Sequence, residues 1–436
     1  MSESGWTDRV SQTVFSSKET SLSSPQKRSA WTHVACGAGT KLGEKLSSPE
    51  LVLPWFMGAL GAPVALVGLL MPIRQSGSLL PQLWLVGLLH KAKRRKHVWG
   101  LATVAQGVAI GLLGGAVLFP DPVIAGWWLV AVFVAFSLAR GAASVSYKDA
   151  LARSVPEGTR GSVMGVRGSV GGAMGLLAGA ALQLEVGREV DSATFPPLLL
   201  LAAGLMAVAG LVFMTFPEEA PQETPKPSES LFDQIKSGAQ LMKGKDFRQF
   251  IWVRGLFLAV PLAYPFFALE GKEQLGAKVG GLGIMIITLS LAEILSSPLW
   301  GNRASHHVIA WGGALFLGAL GVLVLARAVD GWVSQALFVS AFFLLGLSYA
   351  GVRLGRKTYL VEAVDDEHRA LYVATANSLI GLLTLSGFGL ALIASWANLD
   401  GVLITLGATV SMATWLAMRL AAPKDFRVSD APSSAE

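Results

Sequence analysis

The residues best placed to do chemistry are ionisable and phenolic side chains set inside long apolar runs. Glu293 stands in Ser290-Leu-Ala-Glu-Ile-Leu-Ser-Ser297, while Arg140 and Arg254 stand near the ends of two other runs. A charge at the centre of a bilayer costs about 2.5–3.5 kcal/mol on insertion scales, so it is kept where water, a counter-ion or a ligand meets it. On that ground Glu293 is a candidate proton carrier, with a structural ion pair as the plainer alternative. Arg140 and Arg254 are candidate anchors for an anion, with snorkelling to lipid phosphate as theirs. Arg74 and Gln75 lie in the polar stretch Pro72–Ser78 and are candidates for solute recognition, as are Tyr264 and Tyr349. Other chemistries find no support. His306 and His307 are adjacent, point about 100° apart on a helix and have no acidic neighbour, so no metal site is expected. Gly280-Gly281-Leu-Gly283 follows no strand, and no Ser-His-Asp set or P-loop is present, so neither a cofactor nor an enzyme is indicated.

The elements that must hold these residues are membrane helices. Hydrophobic residues make up 52% of the 436 and charged ones 15%, against about 25% charged in a soluble domain, and the mean hydropathy is +0.53. Apolar segments predict twelve spans, at 50–71, 76–90, 98–119, 123–144, 161–184 and 196–216, then 249–269, 279–300, 307–327, 332–353, 369–394 and 398–420. Trp127, Trp128, Trp252, Trp300, Trp311 and Trp332 sit near span ends, as an interfacial belt would. The lone Cys36 excludes an intramolecular disulfide. The fold class is therefore an all-α polytopic membrane protein.

Charge distribution orients it. The run Lys91-Ala92-Lys93-Arg94-Arg95-Lys96, with Lys148, Arg153, Arg160, Arg303, Arg353, Arg356, Lys357 and Arg369, puts thirteen cations in the turns on one side. The other side has five: Arg74, Arg188, Lys272, Lys278 and Arg327. The positive-inside rule places the first set, and both termini, in the cytoplasm, against anionic lipid rather than nucleic acid. Residues 1–48 read as a polar cytoplasmic tail with no cleavable leader. Residues 217–248 read as a Pro- and Glu-rich linker ending in an amphipathic helix, and 422–436 as a second tail. Two six-helix halves, 49–216 and 249–421, are left.

A shift of 209 positions lays one half on the other, carrying Arg94 onto Arg303, Lys148 onto Lys357, Arg160 onto Arg369 and Gly172 onto Gly381. With the span count, the central linker and the matched basic loops, the chain resembles the major facilitator superfamily. Arg160-Gly161-x-x-x-Gly165 at the start of helix 5 adds to the likeness. The family's acidic residue is missing from His90-Lys91-Ala92-Lys93-Arg94, and Asn302 stands where its second copy usually has Asp. The resemblance implies a pseudo-symmetric transporter whose helices 1, 4, 7 and 10 line a central cavity, which favours Arg140, Tyr264 and Tyr349. It implies a cytoplasmic gate near Arg94, Asp149, Arg160, Asn302, Arg303 and Arg369.

Gly161, Gly165, Gly168, Gly172, Gly175 and Gly179 recur at steps of 4, 3, 4, 3 and 4, one helical face where another helix can approach closely. In the resembled family helix 5 meets helix 8 there. The function expected is secondary transport of a small solute by alternating access in a bacterial inner membrane, by a monomer. Symport with protons, antiport and uniport all stay open. The alternative is a transporter-like scaffold that binds a partner protein or a lipid through its tail without transporting.

Overall fold

In the computed structural model, the chain is described over residues 23–90, 94–156, 159–184, 187–216, 240–276, 278–301 and 303–427. Its helices, in chain order, are α1 Ser24–Leu46, α2 Val52–Ala59, α3 Val64–His90, α4 Arg95–Leu113, α5 Pro122–Ser154, α6 Arg160–Gln183 and α7 Phe195–Phe213. Then come α8 Lys245–Leu256, α9 Ala259–Gln274, α10 Val279–Trp300, α11 Ser305–Arg327, α12 Gly331–Ala363, α13 Asp366–Thr384 and α14 Phe388–Ala417. The last is broken at Asn398, where φ is +56°, so that the final two apolar stretches are Leu371–Trp396 and Asn398–Ala417. Ten helical stretches among the described residues are long and apolar enough to cross a membrane. The same shift of 209 carries the bounds of α5 onto those of α12.

The beginning of the chain differs from the sequence expectation. Residues 24–46 are not a tail but a helix that packs against α6 and α7 and buries Ala30, His33, Val34, Cys36 and Leu46. Ser23 and Gln26 form a capping box at its start, with Pro25 in the first turn. Hydropathy misses α1 because it includes Lys27, Arg28, Lys41, Glu44 and Lys45. The helix stops at Ser47-Ser48-Pro49: Pro49 has no N–H to donate, and Ser47 Oγ takes the Gly43 carbonyl at 2.8 Å. The chain resumes as α2, so α1 and α2 form a broken helix.

The expected span 50–71 is cut by a turn at Leu60–Pro63, where Gly61 adopts φ +73°, a left-handed conformation that suits glycine. The expected outer turn Pro72–Ser78 instead lies inside α3. Proline is tolerated in membrane helices that neighbouring helices enclose, and Ser76 Oγ turns back to donate to the Pro72 carbonyl at 2.7 Å, as a serine within a helix does. Residues 91–93 of the basic run, Asn302, 217–239 of the linker and 428–436 lie outside the described residues. The linker's last residues, 245–248, open α8. Two tryptophans depart from the belt: Trp300 is buried and donates to the Leu347 carbonyl at 3.1 Å, and Trp128 donates to that of Leu112 at 2.8 Å.

α8 and α9 form a second broken helix, interrupted at Phe257-Leu258. Arg327 joins α9, α11 and α14 through Glu270 at 2.5 and 2.8 Å and Asp400 at 2.5 Å. The two halves meet most closely along α6 and α10. Away from the basic turns, Val279 N donates to the Arg188 carbonyl at 2.9 Å and Gln183 Nε2 to that of Gly280 at 2.5 Å. The glycine face of α6 is accordingly divided. A Cβ on Gly179 would sit 2.7 Å from Ile287 and 2.9 Å from the Gly283 carbonyl, on Gly175 2.5 Å from Ser290 Oγ, and on Gly172 3.2 Å from Ile294. At Gly161, Gly165 and Gly168 it would meet nothing within 4 Å. The halves are joined at one end of this face and parted at the end bearing the basic turns.

Candidate functional site

The break between α1 and α2 organises a polar cluster. Lys41, Glu44 and Lys45, spaced 3 and 4 apart, share one face of α1, and Glu50 lies in the break itself. Glu44 pairs with Arg140 of α5, whose Nη1 lies 2.7 Å from Oε1 and whose Nη2 donates to Oε2 at 3.4 Å, with Lys41 Nζ at 3.5 Å. Glu50 receives Arg74 of α3 at 3.3 Å. Lys45 reaches across to Glu293 of α10 at 2.9 Å, joining the halves. Below it on α1, Arg167 of α6 lies 3.5 Å from Thr40 Oγ1 and 4.1 Å from the centre of the Tyr147 ring.

These pairs are neither surface pairs nor sealed in a core. The side chains of Lys45, Glu50, Arg74, Glu44 and Arg140 are 13–23% exposed, and that of Glu293 is 40% exposed. Two charges desolvated together are rarely worth more than an apolar pair of the same volume. The ion pair between Lys45 and Glu293 stands at the junction of the two halves. An unwound break in a helix also leaves backbone groups free of the helical ladder, as at transporter binding sites.

On the second half, Tyr264 of α9 is buried and meets Tyr349 of α12 edge to face, with ring centres 5.6 Å apart. Arg353 lies over the Tyr349 ring at 5.4 Å. Arg254 of α8 donates from Nη2 to Asn377 Oδ1 of α13 at 2.7 Å. Tyr349 is the position that the 209 shift pairs with Arg140.

The sequence candidates thus divide. Arg74, Arg140 and Glu293 come together around α1; Gln75 lies half-buried beside Arg74; Tyr264, Tyr349 and Arg254 line the facing half. The plain alternative for Glu293, an ion pair, is what the structure shows, with a lysine as its partner. The loop candidates do other work. Arg160 donates to the carbonyls of Val155 and Ala152 at 2.9 and 2.8 Å, and Arg369 to that of Val364 at 3.3 and 3.2 Å. Each thus neutralises the C-terminal end of the preceding long helix, α5 or α12, as cations there do. Arg303 lies 4.8 Å from the Trp311 ring centre. Arg94 and Asp149 are exposed. Sequence reasoning passed over Lys41, Glu44, Lys45 and Glu50, and read Arg356 as a turn cation although it lies within α12. The capping box at Ser23 and the 3–4 spacing of charges in Lys41-Leu-Gly-Glu-Lys45 were the available signals.

Against known proteins, the Major Facilitator Superfamily model matches residues 36–271. No curated protein matches the sequence. Among solved structures, a mutant of the nucleoside transporter NupG aligns with a TM-score of 0.68 at 14% identity, over 90% of this chain and 99% of that one. A D-xylose-proton symporter aligns at 0.66 and 15% identity, covering 91% and 98%. A POT family transporter in complex with 5-aminolevulinic acid aligns at 0.67 and 12% identity, covering 92% and 97%. These likenesses show the fold. With a family model covering more than half of its length, this integral membrane protein belongs to the Major Facilitator Superfamily of transporters.

Proposed function

We propose that the protein is a secondary transporter that moves a small solute by alternating access, with the cluster around Lys41, Glu44, Lys45, Glu50, Arg74, Arg140 and Glu293 at its working centre. The observation behind this reading is the Lys45–Glu293 pair at 2.9 Å, which ties the two halves together beside a glycine face that is closed along one stretch and open along the other. Rocking of the halves would close Gly161, Gly165 and Gly168 and part Gly172, Gly175 and Gly179, and the pair sits where that motion pivots. With the basic turns in the cytoplasm by the positive-inside rule, the state described here is open to the inside, both termini are cytoplasmic, and the membrane is a bacterial inner membrane. The halves run over 24–216 and 240–421, with α1 and α2 together as the first of twelve crossings and the protein working as a monomer.

Proton coupling through Glu293 follows from the same pair. Protonation of the carboxylate releases Lys45 and with it the tie between halves, and a proton crossing the membrane contributes about 2.3 kcal/mol per 100 mV. One of the structural relatives is a proton symporter by name. The scaffold alternative is weaker: from Ser24 on, its docking tail is a packed helix, and the interior has many ionisable groups. The test is reconstitution in liposomes, with candidate solutes screened under an imposed pH gradient. Solute-dependent proton flux that Glu293→Gln and Arg140→Ala abolish is the expected result. Flux that survives Glu293→Gln removes the coupling, and no solute flux with any compound removes the transport reading.

A further inference from the structure

We propose that Arg254, Arg356 and Asn377 form the site for the anionic group, a carboxylate or a phosphate, of an organic solute; that the solute is transported rests on the reading above. Arg254 of α8 and Arg356 of α12 border one cleft, whose other walls include Phe250, Phe257, Ile309 and Val352; it is too tight in this state to hold a water molecule, so an anion enters only as its walls part. Among the described residues neither has a carboxylate partner. The hydrogen bond that Arg254 makes is to the neutral amide of Asn377, and its Nε is buried with no acceptor. Like charges against apolar walls are costly unless an anion sits between them.

The repeat sharpens this. The shift of 209 positions pairs Lys45 with Arg254, so the cation beside the helix break is present in both halves. The carboxylates are not: Glu44 falls on Val253 and Glu50 on Ala259. Beside the first break the protein supplies counter-ions to Arg74 and Arg140; beside the second, among the described residues, Arg254 and Arg356 have no carboxylate. The cationic face also continues inward. Tyr349, Arg353 and Arg356 are spaced 4 and 3 apart on one face of α12, and Arg353 lies over the Tyr349 ring. The planar fork of arginine suits carboxylate and phosphate alike, and the aromatic and aliphatic walls suit a solute with an apolar body. A lipid phosphate shares the head-group chemistry, so the experiment separates the two sources.

The full-length protein, purified in neutral detergent, is titrated with benzoate, phenyl phosphate and inorganic phosphate while its melting temperature is followed. A parallel series uses nanodiscs with and without phosphatidylglycerol. A saturable rise with the aromatic anions is expected, and Arg254→Gln and Arg356→Gln should each weaken it about tenfold or more, as loss of a charge-assisted hydrogen bond does. Arg419→Gln, an exposed arginine over Trp415, should leave it unchanged. Asn377→Asp supplies the missing carboxylate from within. It should raise the melting temperature without ligand and abolish the response to anions, a sign that a folding defect would not give. Four outcomes overturn the site: no saturable rise with any soluble anion, an equal loss in Arg419→Gln, a lower melting temperature in Asn377→Asp, or a response to phosphatidylglycerol alone. Anion binding without solute flux in liposomes removes the transport reading and leaves the site. Flux unchanged in Arg254→Gln and Arg356→Gln removes the site and leaves transport.

Discussion

Around the α1 break, Arg140, Arg74 and Lys45 each have a carboxylate oxygen within 3.3 Å. Around the matching break between α8 and α9, Arg254 has an amide and Arg356 has no such oxygen among the described residues. Two copies of one helical plan have thus settled the charge beside their breaks differently. The first half pairs Arg140 and Arg74 with its own Glu44 and Glu50, and pairs Lys45 with Glu293 of the second half. Beside the second break the cations have no carboxylate among the described residues, although Arg327 of the same half has Glu270 and Asp400. Paired charges can hold a break rigid and take part in gating, whereas cations without a carboxylate have unused capacity to bind an anion.

The largest effect that separates the halves comes from removing one partner of a pair. Glu44→Ala leaves Arg140 without its counter-ion and should destabilise the protein by about 3 kcal/mol, the lower end for a broken buried pair because both groups keep some water. Arg356→Met removes a charge that has no partner and should cost nothing. Chemical unfolding of the two variants in detergent measures the contrast, and equal losses would break it. A smaller effect concerns where the halves touch. Gly179→Ala places a methyl against Ile287 and the Gly283 carbonyl and should cost about 1–3 kcal/mol through overpacking. Gly165→Ala meets open space and should gain up to about 1 kcal/mol of helix propensity. Thermal unfolding in which both variants lose equal stability would mean that the α6 face is not divided.

The smallest effect is a matter of pH. The backbone N–H of His368, and then its side chain, hold the Asp365 carboxyl below the usual carboxylate range. The start of α13 therefore has a cap whose contribution is full above the unfolded carboxylate pKa of about 4 and is lost as pH falls through the lower folded value. The start of α6 has no side-chain cap. Hydrogen exchange from pH 6 down to 3 should show acid loosening at the start of α13 and none at that of α6, and Asp365→Asn should erase the difference.

Much of the bundle was legible because a long apolar run has few alternatives to a membrane helix. Thus 279–300 was read in the bounds that α10 takes, and one constant shift of register related the halves. What escaped was written in polar residues. Hydropathy discards a helix like α1, whose charges are tolerated only because Arg140 and Glu293 meet them from elsewhere in the chain. Such partners are invisible to any window of consecutive residues. The Pro72–Ser78 stretch was misread for the converse reason, since turn-forming residues in water are compatible with a helix once neighbouring helices enclose it. Arg160 and Arg369 were rightly matched as a pair, but only the coordinates show each closing the end of a long helix.

The composition of α1 has a consequence for how the protein is made. Lys41, Glu44 and Lys45 would each oppose entry of an isolated helix into lipid by about 2–3 kcal/mol. Yet α1 leaves the ribosome long before α5 and α10 exist to receive those charges. The expected consequence is that α1 enters the membrane late, by folding back into a partly built bundle, with its Lys45–Glu293 pair made only once α10 has been synthesised. Truncating the nascent chain before Glu293 should leave α1 accessible to reagents from the side of its synthesis.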